Sequence, residues 1–217
     1  MNITNKSTVE LIDHLGSDLT IVNAARVSFN KESDWYEVGN LQNKDEKLIN
    51  YLAKHNHWSP FAHTSIQLRV SAPIFVARQL VKHQVGGVWN EVSRRYVDDE
   101  PVFYFPDKWR KRAENVKQGS SNEEVVLDPE ILDCVNISLR NYNAMLNRGV
   151  APEQARMILP QNMMTSWYWT GSLVFFHRVY KQRTDPHAQE ESRQVAVEIG
   201  KVCKKLFPVS WEALTDE

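Results

Sequence analysis

The chain is poor in cysteine. Cys134 and Cys203 are the only two among 217 residues, and no Cys-x-x-Cys spacing relates them. This number and spacing exclude the dense disulfide framework that holds small secreted domains together. We expect two unpaired thiols in a reducing compartment, the cytoplasm.

Long apolar runs and an excess of one charge sign are also missing. No run approaches the roughly 18 apolar residues that a membrane-spanning helix needs, and residues 1–6 lack the apolar core of a signal peptide. The net charge is −1, so no overall field attracts nucleic acid or an anionic membrane. The chain is therefore expected in the cytoplasm, of a bacterium or of a host cell if its source is viral, with no membrane and no nucleic-acid partner.

Composition and patterning indicate the fold class. Hydrophobic residues make up 42% of the chain, which is enough for a single domain over residues 1–217. The patterns predict an α+β fold that is mostly helical, with a small antiparallel sheet packed against long helices. Residues 65–71 alternate strictly, which is typical of a half-buried strand. Residues 106–127 are charged, include Gly119-Ser120-Ser121, and are expected to form an exposed, mobile insertion.

Capping residues and periodicity place the other elements. Small polar residues commonly precede a helix, and proline is common at its first position. On these rules Asp18 caps the first helix and Asp185-Pro186 caps the last one. The expected helices before the last one cover residues 19–27, 45–55, 74–84, 128–149, 152–160 and 165–182. A strand is expected at 9–12, beside a second one at 101–105.

The densest group of polar and charged residues is the segment 82–96, Lys-His-Gln-Val-Gly-Gly-Val-Trp-Asn-Glu-Val-Ser-Arg-Arg-Tyr. A surface helix would gain nothing from two central glycines, so a helix end is expected to break at Gly86-Gly87. Backbone N–H groups, guanidinium groups and a hydroxyl follow the break, and these groups bind phosphate best. We interpret Ser93, Arg94 and Arg95 as a phosphate site.

Residues outside this segment complete the candidate site. Gln79 lies one helical turn before His83, so the two side chains point to the same side. Arg156 lies on a short predicted helix, and Arg183 lies in a turn between two long ones. An arginine held between helix ends can be fixed in place to serve a ligand.

Three histidines raise the possibility of a metal site. They stand at positions 55, 57 and 63, a spacing that matches no common zinc pattern. We predict no metal site. Imidazole offers both a flat stacking face and a hydrogen bond, so these histidines are interpreted as pocket or helix-end residues.

These motifs resemble the flavin-dependent thymidylate synthase family. That family's signature is Arg-His-Arg, seven residues and Ser, with Asn-Glu inside the gap and Arg-Tyr after it. Here it reads Lys82-His83-Gln84, eight residues, Ser93 and then Arg95-Tyr96. Further matching segments keep the same order along the chain, at residues 25–28, 57–63, 72–79, 155–160 and 183–189.

The resemblance implies a homotetramer that binds FAD at subunit interfaces and methylates dUMP to dTMP. Methylenetetrahydrofolate would donate the carbon and NADPH the hydride. By position, Arg183 is the catalytic arginine set against the pyrimidine. The residues implied in FAD binding are Ser28, His57, Ser59, Lys82, His83, Gln84, Glu91, Ser172, Arg178 and His187. The residues implied in dUMP binding are Gln79, Lys82, Glu91, Val92, Ser93, Arg94, Arg95, Arg156 and Arg183.

The scarcity of cysteine agrees with this resemblance. A thymidylate synthase without flavin attacks the uracil ring with an activated cysteine thiolate, which needs a polar, cationic site. Neither Cys134 nor Cys203 has a histidine base or phosphate-binding residues beside it in the sequence. A flavin route needs no such nucleophile.

The signature departs from the family's pattern at three points. Lys82 keeps the charge of the first arginine but not its two-pronged hydrogen bonding, and Gln84 lacks the third residue's charge. One extra residue separates Gln84 from Ser93, which Gly86-Gly87 could absorb as a small bulge. Arg178 could supply part of the missing charge. A pocket that admits water could release a hydroxymethyl pyrimidine, so a flavin- and folate-dependent nucleotide hydroxymethylase is one alternative.

Two other classes stay open. The chain could be a non-enzymatic helical module that binds single-stranded nucleic acid through aromatics and cations, or a flavoprotein that has lost catalysis. Against the first stands the net charge of −1, and against the second stands the presence of both Arg156 and Arg183. The cations of the nucleic-acid interpretation are Lys82, Arg94, Arg95, Lys108, Arg110, Lys111 and Arg112.

Overall fold

The structure, a computed structural model, describes residues 1–37, 39–97, 99–114, 119–128 and 130–216. Within them the α+β fold predicted from the sequence is confirmed. The helices are α1 Asp18–Arg26, α2 Asn43–Lys54, α3 Ile74–Leu80, α4 Glu130–Asn147, α5 Pro152–Ala155, α6 Leu173–Arg183, α7 Glu190–Leu206 and α8 Pro208–Thr215. The strands are β1 Asn2–Thr4, β2 Thr8–Leu15, β3 Ser65–Pro73, β4 Gly87–Glu91, β5 Val102–Tyr104, β6 Trp109–Arg112, β7 Ser120–Val125 and β8 Met164–Gly171.

A four-stranded antiparallel sheet lies at the centre, in the order β2-β3-β8-β4. Its strands alternate between a core face and an open face, because successive side chains of a strand point to opposite sides. Leu68 and Trp169 pair on the core face and are at most 1% exposed. Arg69 and Tyr168 pair on the other face and are exposed. The strand predicted from the alternation of residues 65–71 is therefore confirmed.

Helices cover the core face and form the main hydrophobic core. The buried side chains of this core come from the sheet and from α1, α2, α3, α6, α7 and α8. Trp89 of β4 stacks on Trp167 of β8, with ring centroids 4.2 Å apart. A smaller second cluster joins α4 and α5 to β5 through Phe103, Leu139 and Tyr142.

The predicted aromatic helix over residues 165–182 is wrong. Residues up to Gly171 form β8, and the helix α6 begins only at Leu173. Trp167 and Trp169 are buried while Tyr168 between them is exposed, which is the period of a strand. Aromatic and β-branched residues favour strands. Ser172 then starts the helix, because its side chain accepts a hydrogen bond from the Phe175 backbone N–H at 3.3 Å.

Two helix boundaries near the candidate site also differ from the predictions. The helix predicted over 74–84 ends at Leu80, and Gly86, with φ of +86°, lies in the turn that leads into β4. The strand β4 pairs with β8 in unbroken register from Gly87 to Glu91. Gly86 therefore lies in a turn and Gly87 begins the strand, so the two glycines do not form the predicted bulge. The short helix predicted over 152–160 is α5 followed by a 3-10 turn over Arg156–Ile158.

The predicted caps Asp18 and Asp185-Pro186 serve other purposes. Helix α1 begins after Ser17, and the Asp18 carboxylate accepts the backbone N–H groups of Val209 at 3.1 Å and Ser210 at 2.9 Å. Asp18 thus caps α8. Asp185 accepts the His187 backbone N–H at 2.7 Å, which makes a separate turn, and α7 begins only at Glu190.

The strand predicted at 9–12 is confirmed, but its predicted pairing with residues 101–105 is wrong. It belongs to β2, which pairs with β3. The segment 101–105 contains β5, which pairs in parallel with β1. For the helix predicted from Asp128-Pro129 to Gly149, Pro129 lies outside the described residues, and Gly149, with φ of +83°, follows the end of α4.

The segment 106–127, of which residues 115–118 lie outside the described residues, contains the antiparallel hairpin of β6 and β7. Arg110 of β6 donates to the Glu191 carboxylate of α7 at 2.8 Å, and this bond anchors the hairpin to the helical layer. The flanking pairs Lys108–Glu124 and Lys111–Glu123 stay exposed. In the described part of the chain, every helix is too short or too polar to cross a membrane.

We expect Gly171→Ala to lower the free energy of unfolding by about 1–3 kcal/mol, the usual cost of overpacking a core. Gly171 and Gly87 pair across β8 and β4, and an added Cβ would lie 2.2 Å and 2.4 Å, respectively, from the Phe175 ring. Urea denaturation measures the change. In the double variant Gly171→Ala/Phe175→Leu, the loss in free energy of unfolding should be smaller than the sum of the losses in the two single variants. Strictly additive costs would contradict the overlap.

Candidate functional site

The segment 82–96 is divided between the two ends of β4. Lys82, His83 and Gln84 follow α3 at one end of the strand, and Ser93 and Arg95 follow it at the other. A strand rises about 3.3 Å per residue, so the five residues of β4 separate the two groups by roughly 13 Å or more. Each group must therefore be considered with the elements around it.

At the first end, Arg183 connects the signature to two other elements. Its Nε donates to His83 Nε2 at 2.9 Å, and its Nη2 donates to the Gln79 carbonyl at 2.9 Å. Arg183 is the last residue of α6 and Gln79 lies on α3, so the two bonds join three parts of the fold. They fix the plane of a guanidinium that has further N–H donors for a ligand. We call Gln79, His83 and Arg183 the arginine cluster.

The His83 imidazole is neutral at neutral pH. Burial, the charge of Arg183 and the charge of Arg178 together lower its pKa from 6.5 to about 4. A neutral ring that accepts a bond at Nε2 carries its proton on Nδ1. Burial also lowers the pKa of the Arg183 guanidinium. The cluster therefore presents a half-buried cation held by a neutral acceptor.

The turn beside this cluster suits an anion. Arg178 of α6 donates through Nη2 to the Val85 carbonyl at 3.2 Å, and a Cβ on Gly86 would lie 3.5 Å from the same Nη2. Lys82 and Gln84 are exposed in this turn. Cationic side chains together with a glycine backbone are a common set of phosphate ligands.

At the second end of β4 lies a cleft of about 1010 Å³. Four residues predicted from the sequence line it, namely Glu91, Val92, Arg94 and Arg156. Glu91 is held in place because its carboxylate accepts Thr165 Oγ1 at 2.8 Å and Trp89 Nε1 at 3.2 Å. Arg94 donates to the Asp99 carbonyl.

Two residues of the phosphate motif lie just beyond these. Ser93 Oγ accepts Arg95 Nε at 3.2 Å, and the Arg95 guanidinium lies over the Tyr96 ring at 5.0 Å from its centroid. The serine hydroxyl and the guanidinium are thereby already beside each other. This pairing agrees with a single anion as their common ligand.

Sequence reasoning missed several polar residues that line the cleft. Arg69, Ser71 and Ser166 project from the open face of the sheet, and Lys6 precedes β2. The alternation of residues 65–71 contained the signal, since it placed Arg69 and Ser71 on the face opposite the core. The pairing with Ser166 could not be read from the sequence, because it joins residues 95 positions apart through the 3.0 Å bond from Ser71 Oγ to Ser166 Oγ.

The remaining predicted residues lie elsewhere on the surface. Ser28 is exposed in a 3-10 turn, and His57 and Ser59 are exposed just before a second one. Ser172 caps α6, and the exposed His187 contacts Asp185 through Nδ1 at 3.0 Å. Among the described residues of a single chain, the predicted set therefore does not form one pocket.

The residues that line the cleft include neither cysteine. Cys203 is fully buried on α7, and burial raises the pKa of its thiol. Cys134 is exposed on α4. A buried thiol with a raised pKa is a poor nucleophile.

Comparisons with known proteins agree on one family. Residues 10–209 match the family described as thymidylate synthase complementing protein. A flavin-dependent thymidylate synthase of Thermus thermophilus is 38% identical over 218 residues, 99% of this chain and 77% of the relative. Another, from Thermosipho africanus, is 38% identical over 216 residues, 97% of this chain and 92% of the relative. Among solved structures, the UMP/dUMP methylase PolB from Streptomyces cacaoi bound with 5-Br dUMP gives a TM-score of 0.86 at 31% identity, covering 100% of this chain and 97% of that one.

We expect His83 to titrate with a pKa of about 4 and not at the ordinary 6.5, as NMR of the imidazole nitrogens would show. Because the folded-state pKa is the lower one, the unfolded chain takes up this proton first as pH falls from 6.5 to 4. The free energy of unfolding therefore decreases as the pH falls from 6.5 to 4. Arg183→Met should raise the pKa of His83 by removing a nearby positive charge. Lys82→Met, which removes an exposed cation, is the control and should leave the titration unchanged. Equal shifts in both variants would contradict the assignment.

Proposed function

Because the chain belongs to the thymidylate synthase complementing protein family, we propose that it is an FAD-dependent thymidylate synthase. The reaction is the reductive methylation of dUMP to dTMP, with methylenetetrahydrofolate as the carbon donor and NADPH as the reductant. The observation that carries the proposal is the arginine cluster, in which Arg183 is fixed by His83 and Gln79 beside a cationic glycine turn.

The substrate class is supported by the structural neighbour. PolB is a UMP/dUMP methylase, and its structures contain 5-Br dUMP and 5-Br UMP. In this chain, Ser93, Arg94, Arg95 and Arg156 supply the hydroxyl and guanidinium groups that a nucleotide phosphate needs. Glu91 and Val92 lie next to them at the same end of β4, and Lys82 of a second protomer would complete this set.

The residues at the glycine turn fit FAD. Lys82, Arg178 and the backbone around Gly86 would hold its phosphates, with His83 and Gln84 beside them. The other predicted contacts are Ser28, His57, Ser59, Glu91, Ser172 and His187. When bound, FAD would supply the hydride transfer between NADPH and the one-carbon unit, and the protein would supply placement and electrostatics.

Arg183 would stabilise the negative charge that develops during the reaction. Charge develops on the uracil carbonyls as C5 becomes nucleophilic, and a guanidinium already fixed by two hydrogen bonds stabilises that charge without reorganising. Gln79 holds Arg183 through its carbonyl, and its side chain is proposed to bind the same nucleotide. The chain needs no thiol for this step. This agrees with the burial of Cys203 and with the exposed position of Cys134 on α4.

We propose that the complete site forms between protomers of a homotetramer in the cytoplasm. The arginine cluster and the phosphate residues lie at opposite ends of β4, and most of the predicted ligand residues are exposed in the single chain. Contacts from a second protomer would bring one group to the other. Symmetric homo-oligomers provide this repeatedly, because each protomer contributes both surfaces.

The nucleic-acid-binding alternative loses support from the described contacts. Three cations on which it relied are paired with carboxylates, as Lys108–Glu124, Arg110–Glu191 and Lys111–Glu123. Cations neutralised in this way contribute less to a phosphate-binding surface. The hydroxymethylase alternative differs only in the product and is distinguished by the assay below.

We expect Arg183→Ala to retain bound FAD but to lower kcat by about 10²–10³-fold, the usual cost of removing one preorganised donor. The assay incubates the yellow protein anaerobically with NADPH, dUMP and methylenetetrahydrofolate, and identifies the product by mass spectrometry. Arg140→Ala, an exposed arginine on α4, is the control and should keep full activity. Normal turnover of Arg183→Ala would remove the assigned role. A hydroxymethyl product from the unmodified chain would support the hydroxymethylase.

We expect two inactive variants to complement each other when mixed. Arg183→Ala lacks one group and the double variant Ser93→Ala/Arg95→Ala lacks the other, so a site shared between protomers can combine two intact groups. After random reassembly of equal amounts, about a quarter of the sites should be intact, from two independent chances of one half. Each variant mixed with unmodified chain provides the reference. Activity no higher than that of the separate variants would show that the site lies within one protomer.

A further inference from the structure

A row of hydrogen bonds connects the hairpin of β6 and β7 to the arginine cluster. Arg110 Nη2 donates to Glu191 Oε1 at 2.8 Å, and Gln189 Nε2 donates to Glu191 Oε2 at 3.0 Å. Gln79 Nε2 donates in turn to Gln189 Oε1. Ser192 Oγ donates to Gln79 Oε1 at 3.2 Å and completes the row. None of these partners of Gln79 was identified from the sequence.

The row is shielded from water at its centre. Glu191 is 5% exposed and Ser192 is fully buried. Hydrogen bonds are stronger in such surroundings, and a buried charge left without a partner is costly. Arg110 is the cation that pairs with this carboxylate. The charge of Glu191 is also felt nearby, since burial first and Glu191 second raise the pKa of Tyr104 to about 12.

The carboxylate determines the direction of every bond in the row. An ionised carboxylate can only accept, so Gln189 must turn its amino group toward Glu191. The side-chain oxygen of Gln189 then faces Gln79, which must donate a hydrogen bond from its own amino group. The oxygen of Gln79 is left facing Ser192. Reversing either amide would place two acceptors against each other.

We propose that Glu191, held by Arg110, is a positioning residue that fixes the amide orientation of Gln79 for the nucleotide. This inference rests on the proposed function, in which Gln79 binds dUMP. Glu191 acts through Gln189 and does not touch the substrate. A fixed amide presents one remaining N–H and one remaining oxygen lone pair in known places, so the nucleotide meets a prearranged partner and loses less freedom on binding.

The test compares dUMP binding in two isosteric variants. Glu191→Gln keeps the shape but can donate as well as accept, so the direction of the row is no longer determined. Calorimetric titration of the FAD-loaded protein should show a Kd for dUMP raised about tenfold, the size of one well-placed hydrogen bond, with kcat changed much less. Glu198→Gln on the same helix is the matched control, because it loses only an exposed pair with Lys201. An unchanged Kd in Glu191→Gln would overturn the inference.

A double variant shows whether Glu191 acts through Gln79. Gln79→Ala should raise the Kd for dUMP, and adding Glu191→Gln should raise it no further. If the fold-increases in Kd of the two single variants multiply in the double variant, the inference is overturned while the role of Gln79 stands. If Gln79→Ala alone does not change the Kd, the assigned role of Gln79 in the proposed function is wrong, and the inference fails with it.

Variants at Arg110 decide the matter if Glu191→Gln does not fold. Arg110→Gln should weaken dUMP binding, and Arg110→Lys, which keeps the positive charge, should restore most of the affinity. Lys111→Gln on the same strand is the control, since it loses only its exposed pair with Glu123. Equal affinities for Arg110→Gln and Lys111→Gln would overturn the inference.

Discussion

The ring of Phe175 sets the distance between α6 and the sheet, and the site depends on that distance. The ring occupies the space that side chains at Gly87 and Gly171 would fill. Because one glycine begins β4 and the other ends β8, the helix packs directly on the paired strand ends. This close approach brings Arg178 to the glycine turn and Arg183 to His83. A glycine pair that resembles a phosphate motif in the sequence therefore has a packing role as well.

Among the described residues, Arg183 is held by a neutral acceptor, His83, and not by a counter-ion. His83 lies close to two arginines, and their charges help to keep its ring unprotonated. A carboxylate in that place would neutralise Arg183 and compete with the substrate for its donors. Imidazole holds the guanidinium with one hydrogen bond and leaves its full charge for the ligand. The carboxylate of the neighbouring hydrogen-bond row, Glu191, is paired with Arg110 instead.

Local patterns predict the strand at 65–71 and most helices, because hydrophobic periodicity is visible over a few residues. The segment 165–171 is a strand and not the predicted helix, because three consecutive aromatic residues, Trp167, Tyr168 and Trp169, hide in the sequence the alternation that their burial shows. The candidate site is predicted from the order of its motifs and their family resemblance. What no local pattern could supply were the contacts between distant residues. Arg183 meets His83 across 100 positions, and Gln79 meets Ser192 across 113.

The cap that Asp18 provides for α8 has a consequence for how the chain matures during synthesis. The bonded residues are 191 and 192 positions apart. Helix α1 leaves the ribosome long before its partner exists, and β2 likewise waits for β3. Contacts between such distant segments form slowly, because a long loop must close first. The native core therefore closes only after synthesis of α8, and until then the apolar faces of α1 and α2 are surfaces that a chaperone can bind.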